Sequence, residues 1–431
     1  MQSRIVPSCS HALRGLFLVA VLILAGERAF AAEPQDGKPL ALFDAVRQAD
    51  KDSPAISARR YAAESAEQAI GPAGALPDPQ LVAGVDNLPV SGNDAFGLTR
   101  DFMTMRKIGV MQEVTRGEKR ELRSERARAA ATREQALLTN ARLSVHESVA
   151  RAWIACASAE QKLTLLHELE PRAEAQIAAA AAAMSAGRGT AGDALAARSA
   201  QALLADRIRQ GEREAEDARS DLTRWLPDAG ARPLGATPDW STLAIDADTL
   251  LANAAHHREL LAYDAAEQMA NTEVALARAE KRPDWSVEFD YAQRGPHFSN
   301  MVSLEFRVGL PLFAGSRQDP SIASKQAAVD QIQAEREDAR RMHAAELRKT
   351  LAAWRSAVDR VARYESELLP LAEDRAEATL AGYRGGRGDL QTALSALDQV
   401  IEQRIAYAEL KGTLGQAWAA LYFAFPTEQQ P

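Results

Sequence analysis

Cysteine is almost absent from this chain of 431 residues, which contains two. Cys9 lies in an N-terminal segment that we predict is removed, so Cys156 has no partner for an internal disulfide. A disulfide scaffold is therefore excluded, and no cysteine pair is available for a zinc site. Beyond residue 31 the chain also lacks an apolar run of about 18 residues, the length that a transmembrane helix needs. An exported chain of this kind can still cross an outer membrane as β-strands.

The first 31 residues have the features of an export signal. Arg4 and Arg14 supply positive charge, residues 15–25 form an apolar core, and residues 29–31 form a small-x-small cleavage site. Removing residues 1–31 takes away three arginines and one glutamate, so the net charge of −8 becomes −10. An acidic mature chain argues against nucleic acid as a partner and favours cationic cargo or a cationic partner.

The chain repeats its own pattern. Residues 108–117 recur as residues 306–315, an offset of 198, and the Gly-Arg-Gly of residues 187–189 returns at 386–388. A nearly constant offset indicates an internal duplication. Each copy is predicted to contain a strand pair, a long helix and a shorter return helix.

The predicted boundaries follow from composition and turn signals. The first repeat is residues 32–226, with strands at about 79–88 and 101–114, a long helix at about 117–186 and a return helix at 190–226. A linker rich in proline and glycine covers 227–245. The second repeat is 246–423, with strands at about 284–293 and 300–313, a long helix at about 318–384 and a return helix at 389–423, followed by a tail at 424–431.

The second strand pair shows the clearest alternation. Apolar side chains on one face (Trp285, Val287, Phe289, Tyr291, then Val302, Leu304, Phe306, Val308) alternate with polar ones on the other. This period of two is typical of a barrel strand with one face toward lipid and one toward the lumen. The alternative is a half-buried sheet of a soluble domain. We assign Trp285, Phe289, Tyr291 and Phe306 as lipid-facing, with core packing as the competing interpretation.

Helix length favours the barrel interpretation. Seventy helical residues extend roughly 100 Å, several times the diameter of a small domain. The return helices hold about half as many residues, so two of the shorter helices must stack to flank each long one. Four strands cannot close a barrel, and an open edge is not tolerated in lipid, so the chain is expected to oligomerise.

The arrangement resembles the TolC-type outer membrane efflux family. Family members carry a Tyr-x-x-Gly-x-x-Ser-x-x-Asp-like turn at the periplasmic tip of each helical hairpin. The second repeat has Tyr383, Gly386, Asp389 and Thr392 at this spacing, and the first has Met184, Gly187, Thr190 and Asp193. Met184 replaces the aromatic residue, while Asp389 and Thr392 replace the hydroxyl and the acid. Residues 105–113, followed by 117–120, resemble the heavy-metal branch of the family.

This resemblance implies a trimeric 12-stranded outer-membrane β-barrel continued by a long periplasmic α-helical barrel, an α+β membrane protein in the cell outer membrane that extends into the periplasm. It implies the exit duct of a tripartite efflux system for heavy-metal cations. Its partners would be a periplasmic adaptor and an inner-membrane RND-type pump. The residues implied to contact the partner and form the gate are Gly187, Arg188, Thr190, Asp193, Tyr383, Gly386, Arg387 and Asp389. The alternatives are an exit duct for drug efflux or type I protein secretion, and a periplasmic coiled-coil scaffold without a pore.

No enzyme, cofactor or metal site is predicted. Residues 187–192 fit the dinucleotide-binding fingerprint, but an alanine-rich helix precedes them where that motif needs a strand. His256 and His257 are adjacent, so on a helix they point to different faces and suit one metal poorly. Asp193 and Asp389 have two compatible interpretations, as helix N-caps and as acidic rings at the constriction. Arg188 and Arg387 are candidates to latch the closed tip.

Overall fold

The fold is taken from a computed structural model that describes residues 38–187, 189–243, 246–385 and 387–426. The predicted export signal (1–31) and the last part of the predicted tail lie outside these residues. Among the helices described, none is long and apolar enough to cross a membrane.

Four antiparallel strands form one sheet in the order β1-β2-β3-β4. The two strand pairs predicted from the sequence meet through β2 and β3, where Val110 lies opposite Phe289. The strands β1 and β4 form the two edges of the sheet. Their bounds are β1 (Gln80–Asp86), β2 (Met105–Val114), β3 (Trp285–Gln293) and β4 (Met301–Val308).

Helices make up most of the chain and occur in the same order in both repeats. In the first repeat they are α1 (Leu42–Asp52), α2 (Pro54–Gln68), α3 (Ile70–Ala73), α4 (Gly117–His167), α5 (Glu170–Ser185) and α6 (Ala191–Trp225). In the second they are α7 (Ala247–Ala252), α8 (Leu261–Ala279), α9 (Gln318–Arg363), α10 (Leu369–Arg384) and α11 (Leu390–Tyr422). Two 3₁₀ turns, Asn253–His256 and Arg258–Leu260, join α7 to α8.

Each long helix is interrupted, where the sequence predicted one continuous helix. The chain breaks between α4 and α5 just before Pro171, and a π-helical turn, Tyr364–Leu368, precedes Pro370 between α9 and α10. Proline lacks the N–H of an i→i−4 hydrogen bond, and its ring collides with the carbonyl four residues earlier. The extra residue of a π turn makes room for the proline ring, so that α10 continues in line from α9.

The main core lies where the helices of both repeats meet. Trp153 of α4 is fully buried and donates its indole N–H to the Leu40 carbonyl at 2.8 Å. Trp354 of α9 makes the equivalent bond to the Trp240 carbonyl at 2.9 Å. The two tryptophans therefore occupy corresponding positions, each fixing a segment that leads into the next helices. This correspondence supports the internal duplication in three dimensions.

The two long helices differ in their neighbours. The helix α4 packs against α2 of its own repeat and against α8 of the other, while α9 packs against α8 and α11. Most side chains of α9 are exposed, and Tyr61 of α2 is 68% exposed. One flank of α9 and one flank of α2 therefore remain uncovered.

Candidate functional site

One face of the sheet is apolar and exposed. On β3 and β4 the side chains of Phe289, Val302, Leu304 and Phe306 are 54%, 61%, 61% and 65% exposed. Phe289 lies directly opposite Leu304, and Tyr291 opposite Val302. A contiguous exposed surface of large apolar side chains indicates an interaction with lipid or protein. The four residues predicted to face lipid (Trp285, Phe289, Tyr291, Phe306) all lie on this surface, which we call the apolar face.

The apolar face continues across the first strand pair. Leu81, Ile108 and Val110 are 73%, 55% and 50% exposed, and they lie in register with the apolar residues of β3. Neither Ile108 nor Val110 was assigned to an apolar face from the sequence. A signal was available, because the two residues alternate around Gly109. The charged residues just before them obscured it.

The opposite face of the sheet is charged, and we call it the polar face. Lys107 lies 3.5 Å from the Asp86 carboxylate and 3.8 Å from Glu288, and Arg307 lies 2.6 Å from Glu288 and 2.8 Å from Glu305. These cross-strand pairs tie the four strands together. The acidic side chains on this face (Asp86, Glu113, Glu288, Asp290, Glu305) outnumber the basic ones (Lys107, Arg307).

Gly109 is required by the packing of the polar face. It lies opposite Asp290, and a Cβ built on Gly109 would fall 1.9 Å from the Asp290 carboxylate. The missing side chain provides the space in which Asp290, 5% exposed, is accommodated. Any larger residue at position 109 would displace Asp290 or separate β2 from β3.

A buried ion pair joins the sheet to the helices. Lys119, in the first turn of α4, is 2% exposed and lies 2.8 Å from Asp284 and 3.2 Å from Glu280. Asp284 also accepts the backbone N–H of Arg116 at 2.9 Å. Burial alone would raise the pKa of the Asp284 carboxyl, but the hydrogen bonds from Lys119 and Arg116 hold it below its usual value. We call this arrangement the Lys119 junction.

At the other end of the helices, glycine turns reverse the chain. Gly187 has φ of +68°, and its N–H bonds to the Met184 carbonyl at 3.1 Å while that of Gly189 bonds to Ala183 at 3.0 Å. In the second repeat the Arg387 N–H bonds to the Gly382 carbonyl at 2.9 Å. Glycine tolerates positive φ at a helix C-terminus, which explains Gly187 in the first turn.

Asp389 caps the helix that follows the second turn. Its carboxylate accepts the Thr392 backbone N–H at 2.8 Å and the Thr392 hydroxyl at 2.7 Å. The hydroxyl and N–H of Thr392 lower the pKa of the Asp389 carboxyl. The side chain is exposed, so it remains an ionised group on the surface of the tip.

The structure brings part of the predicted tip together. A groove of about 250 Å³ lies where the first hairpin meets α11, and Gly189 and Asp389 both line it with Gln176, Ala183, Ala197 and Leu394. Tyr383 lies half-buried in α10. Arg188 and Gly386 lie outside the described residues, and Asp193 is described only as part of the α6 backbone. With the described residues Arg387 forms no ion pair. Charge pairs that link the hairpins include Arg207 with Glu402, Lys162 with Glu409 and Arg404 with Glu168.

The histidines take part in packing. The His257 ring stacks on His343 with 4.5 Å between centroids, and His343 lies 2.9 Å from the Glu259 carboxylate. Burial lowers the pKa of His257 to about 4, with further contributions from His343 and Arg258. In the described part of the chain, no group of three or more His, Cys, Asp or Glu side chains is arranged to hold a metal ion.

A sheet with one apolar and one charged face is typical of strands that contact lipid on one side and water on the other, and here helical hairpins continue it. Residues 251–425 match the family model described as outer membrane efflux protein. The match covers most of the second repeat, which is therefore similar to the TolC-type outer membrane efflux proteins, a family located in the outer membrane and extending into the periplasm. Members of this family are conduits for transport rather than enzymes.

Solved structures show the same fold. The chain is similar to CusC, solved in a study of its folding and transmembrane channel formation (16% identity, TM-score 0.76, 89% of this chain and 91% of that one). It is also similar to the outer membrane protein VceC of Vibrio cholerae (17%, 0.73, 89% and 96%) and to the CmeC outer membrane channel of Campylobacter jejuni (14%, 0.70, 90% and 87%). No curated protein matches the chain in sequence.

Proposed function

We propose that this protein is the exit duct of a tripartite efflux system and passes heavy-metal cations out of the cell. The observation that carries the proposal is the two-faced sheet. Its apolar face has the composition of a surface in contact with lipid, and its polar face that of an aqueous lumen. The long helices continue the same duct into the periplasm.

Three copies of the chain form the duct. Both sheet edges, β1 and β4, carry backbone groups that need partners inside a bilayer. A second copy supplies those partners if β4 of one chain pairs with β1 of the next. Three copies then close a barrel of twelve strands, wide enough for an open lumen.

The charge of the polar face supports a cationic cargo. Five carboxylates against two basic side chains make the lumen side of each sheet acidic (Asp86, Glu113, Glu288, Asp290 and Glu305 against Lys107 and Arg307). Rings of carboxylates favour cations over anions in a pore. The heavy-metal assignment also draws on the resemblance of residues 105–113 to that branch of the family.

The hairpin tip is the proposed gate. A periplasmic adaptor docks at the turns formed by Gly187, Arg188, Thr190 and Asp193 in one repeat and Tyr383, Gly386, Arg387 and Asp389 in the other. The buried side chains near the tip are mainly alanine, including Ala180, Ala197 and Ala396. Small side chains bury little apolar area, so the hairpins separate at low cost when a partner binds. An inner-membrane RND-type pump supplies the energy.

Single-channel conductance of the purified protein in planar bilayers tests the proposal. We expect a cation-selective pore whose block by divalent metals weakens in an Asp193→Asn/Asp389→Asn double variant. A pore with the same conductance and block in the variant would leave the duct but remove these residues from the gate. A pore selective for anions would favour a duct for drugs or secreted proteins. No insertion, under conditions where a porin inserts, would favour the coiled-coil scaffold.

A further inference from the structure

We infer that Asp78 of one copy forms an ion pair with Arg317 of the adjacent copy, at a surface equivalent to the Lys119 junction inside the chain. This inference rests on the proposed oligomer and specifies which residues join its copies. It follows from the duplication, because a contact between the first and second repeats within one chain has a counterpart between the second repeat and the first repeat of the next chain.

The template is the contact between the two repeats. There β2 pairs with β3, and Lys119 at the start of α4 binds Asp284 at the start of β3. Lys119 is buried because the second repeat covers it. The contact between the repeats therefore combines the pairing of β2 with β3 and an ion pair at the ends of these strands, next to the helices.

Each half of this charge pair has a counterpart in the other repeat. Pro283-Asp284 precedes the first strand of the second pair, and Pro77-Asp78 precedes the first strand of the first pair. Lys119 lies two residues after Gly117 at the start of α4, and Arg317 lies two residues after Gly315 at the start of α9. Position 78 is again acidic and position 317 is again basic, so the charge complementarity is retained.

The counterparts cannot meet within one chain. Asp78 leads into β1 and Arg317 follows β4, and these strands are the opposite edges of the sheet. Three strand spacings of about 4.8 Å separate the edges by roughly 14 Å, beyond the range of a direct ion pair. Both side chains are exposed in the single chain, in contrast to buried Lys119.

Apolar side chains near these charges are also exposed to solvent in the single chain. Leu312 and Phe313, between β4 and Arg317, are each 76% exposed. The helix α2 precedes β1 and the helix α9 follows β4 in the chain, and both helices carry many exposed side chains. A second copy that pairs its β1 with β4 covers these surfaces together, which makes a copy of this chain the occupant.

Cysteine crosslinking tests the placement. In a Cys156→Ser background, the Asp78→Cys/Arg317→Cys variant is oxidised mildly in outer-membrane vesicles and run on a non-reducing gel. We expect a ladder of two and three linked chains, because a disulfide forms only when the Cα atoms approach within about 7 Å. The control is Asp78→Cys/Arg341→Cys, in which the second cysteine lies on exposed α9 about 36 Å further along the helix and gives no ladder.

Charge reversal provides a second readout. Asp78→Arg and Arg317→Asp should each lower the temperature at which the SDS-resistant oligomer dissociates, and the double reversal should restore most of the loss. A wild-type oligomer with neither crosslinking nor rescue would overturn this inference and leave the proposed duct intact. A wild-type protein that forms no oligomer in the membrane would overturn both.

Discussion

At the strand end of the molecule, Lys119 is buried between two carboxylates and large apolar side chains cover one face of the sheet. At the hairpin tip, the buried residues are mostly alanine, and the charges that link the hairpins, such as Arg207 with Glu402, are exposed. Each charged hydrogen bond of buried Lys119 contributes about 1.5–3 kcal/mol, whereas burying the methyl group of an alanine contributes roughly 0.8 kcal/mol. Exposed charge pairs contribute about 0–1 kcal/mol. The strand end is therefore held far more firmly than the tip.

This difference fits the two tasks assigned to the ends. A sheet that spans a bilayer must keep every backbone group paired, so it needs fixed register and a rigid attachment to its helices. A gate must change shape at a cost that a docking partner can supply, typically a few kcal/mol. The chain places its strong interactions at one end and its weak ones at the other. Substitutions that weaken one end at a time test this difference.

The largest effect is expected on the apolar face. A Phe289→Lys/Leu304→Lys variant places two charges opposite each other on the surface that faces lipid. Each costs about 2–4 kcal/mol near the middle of a bilayer, so assembly in the outer membrane should fail. Fractionation and heat-modifiable migration on gels measure the outcome.

The matched control carries a charge on the neighbouring residue of the same strand. Ser303 lies on the polar face, opposite Asp290, so Ser303→Lys should insert and migrate like the wild type. Equal behaviour of the two variants would show that the sheet does not contact lipid and would favour the scaffold.

The Lys119 junction is expected to give the next largest effect. Lys119→Met removes the cation that pairs with Asp284 and Glu280. Each charged hydrogen bond that is lost contributes about 1.5–3 kcal/mol to stability. The thermal unfolding midpoint in detergent should fall by several degrees. Arg213→Met removes the same charge from an exposed pair with Asp217, and the thermal unfolding midpoint of this variant should hardly change. Similar shifts in both variants would contradict the special strength of the strand end.

The sequence predicted some of these features and not others, for physical reasons. The alternation of residues 285–291 and 302–308 is local, so the apolar face of the second strand pair was visible. Asp389 as a helix cap was equally visible, because an acid after a glycine turn is a local signal. The cap is confirmed by the bond to Thr392.

Features that depend on distant contacts were not predicted. Lys119 is separated from Asp284 by 165 residues, and nothing in the neighbourhood of Lys119 indicates that it is buried. Gly109 reads as a break in β2, although it provides the space for Asp290 of another strand. The interruptions before Pro171 and Pro370 had a local signal that the high helix propensity of the surrounding residues obscured.

A smaller effect is expected between the two ends, where His257 stacks on His343 of α9 beside Phe425. The pKa of His257 is about 4 in the folded protein against an ordinary 6.5, because burial disfavours its charged form. The unfolded chain therefore binds more protons in this interval. Stability from this residue is complete above pH 6.5 and is lost as the pH falls toward 4. The charged or titratable groups around it include Arg258, Glu259 and His343, and Glu147, Arg151 and Glu346 line the same cavity.

Thermal midpoints at pH 7 and pH 4.5 measure this effect. The drop in midpoint on acidification should be smaller in His257→Gln than in the wild type, since glutamine does not titrate. His167→Gln serves as the control, because His167 is exposed beside Glu170 and should leave the acid sensitivity as it is. An unchanged drop in His257→Gln would show that this histidine does not contribute to it.

The smallest effect is expected at the tip, where two substitutions of Asp389 separate its cap from its charge. Asparagine caps helices about as well as aspartate, so Asp389→Asn should keep the stability of α11, whereas Asp389→Ala should lose about 1 kcal/mol. Hydrogen exchange at the amide of Thr392, which bonds to the cap, should report the difference. If the carboxylate also lines the gate, Asp389→Asn should reduce the cation selectivity of the pore while protection at Thr392 stays unchanged. Loss of protection in the asparagine variant would instead show that the charge itself holds the turn, and the tip would then be less easily displaced than its alanine packing indicates.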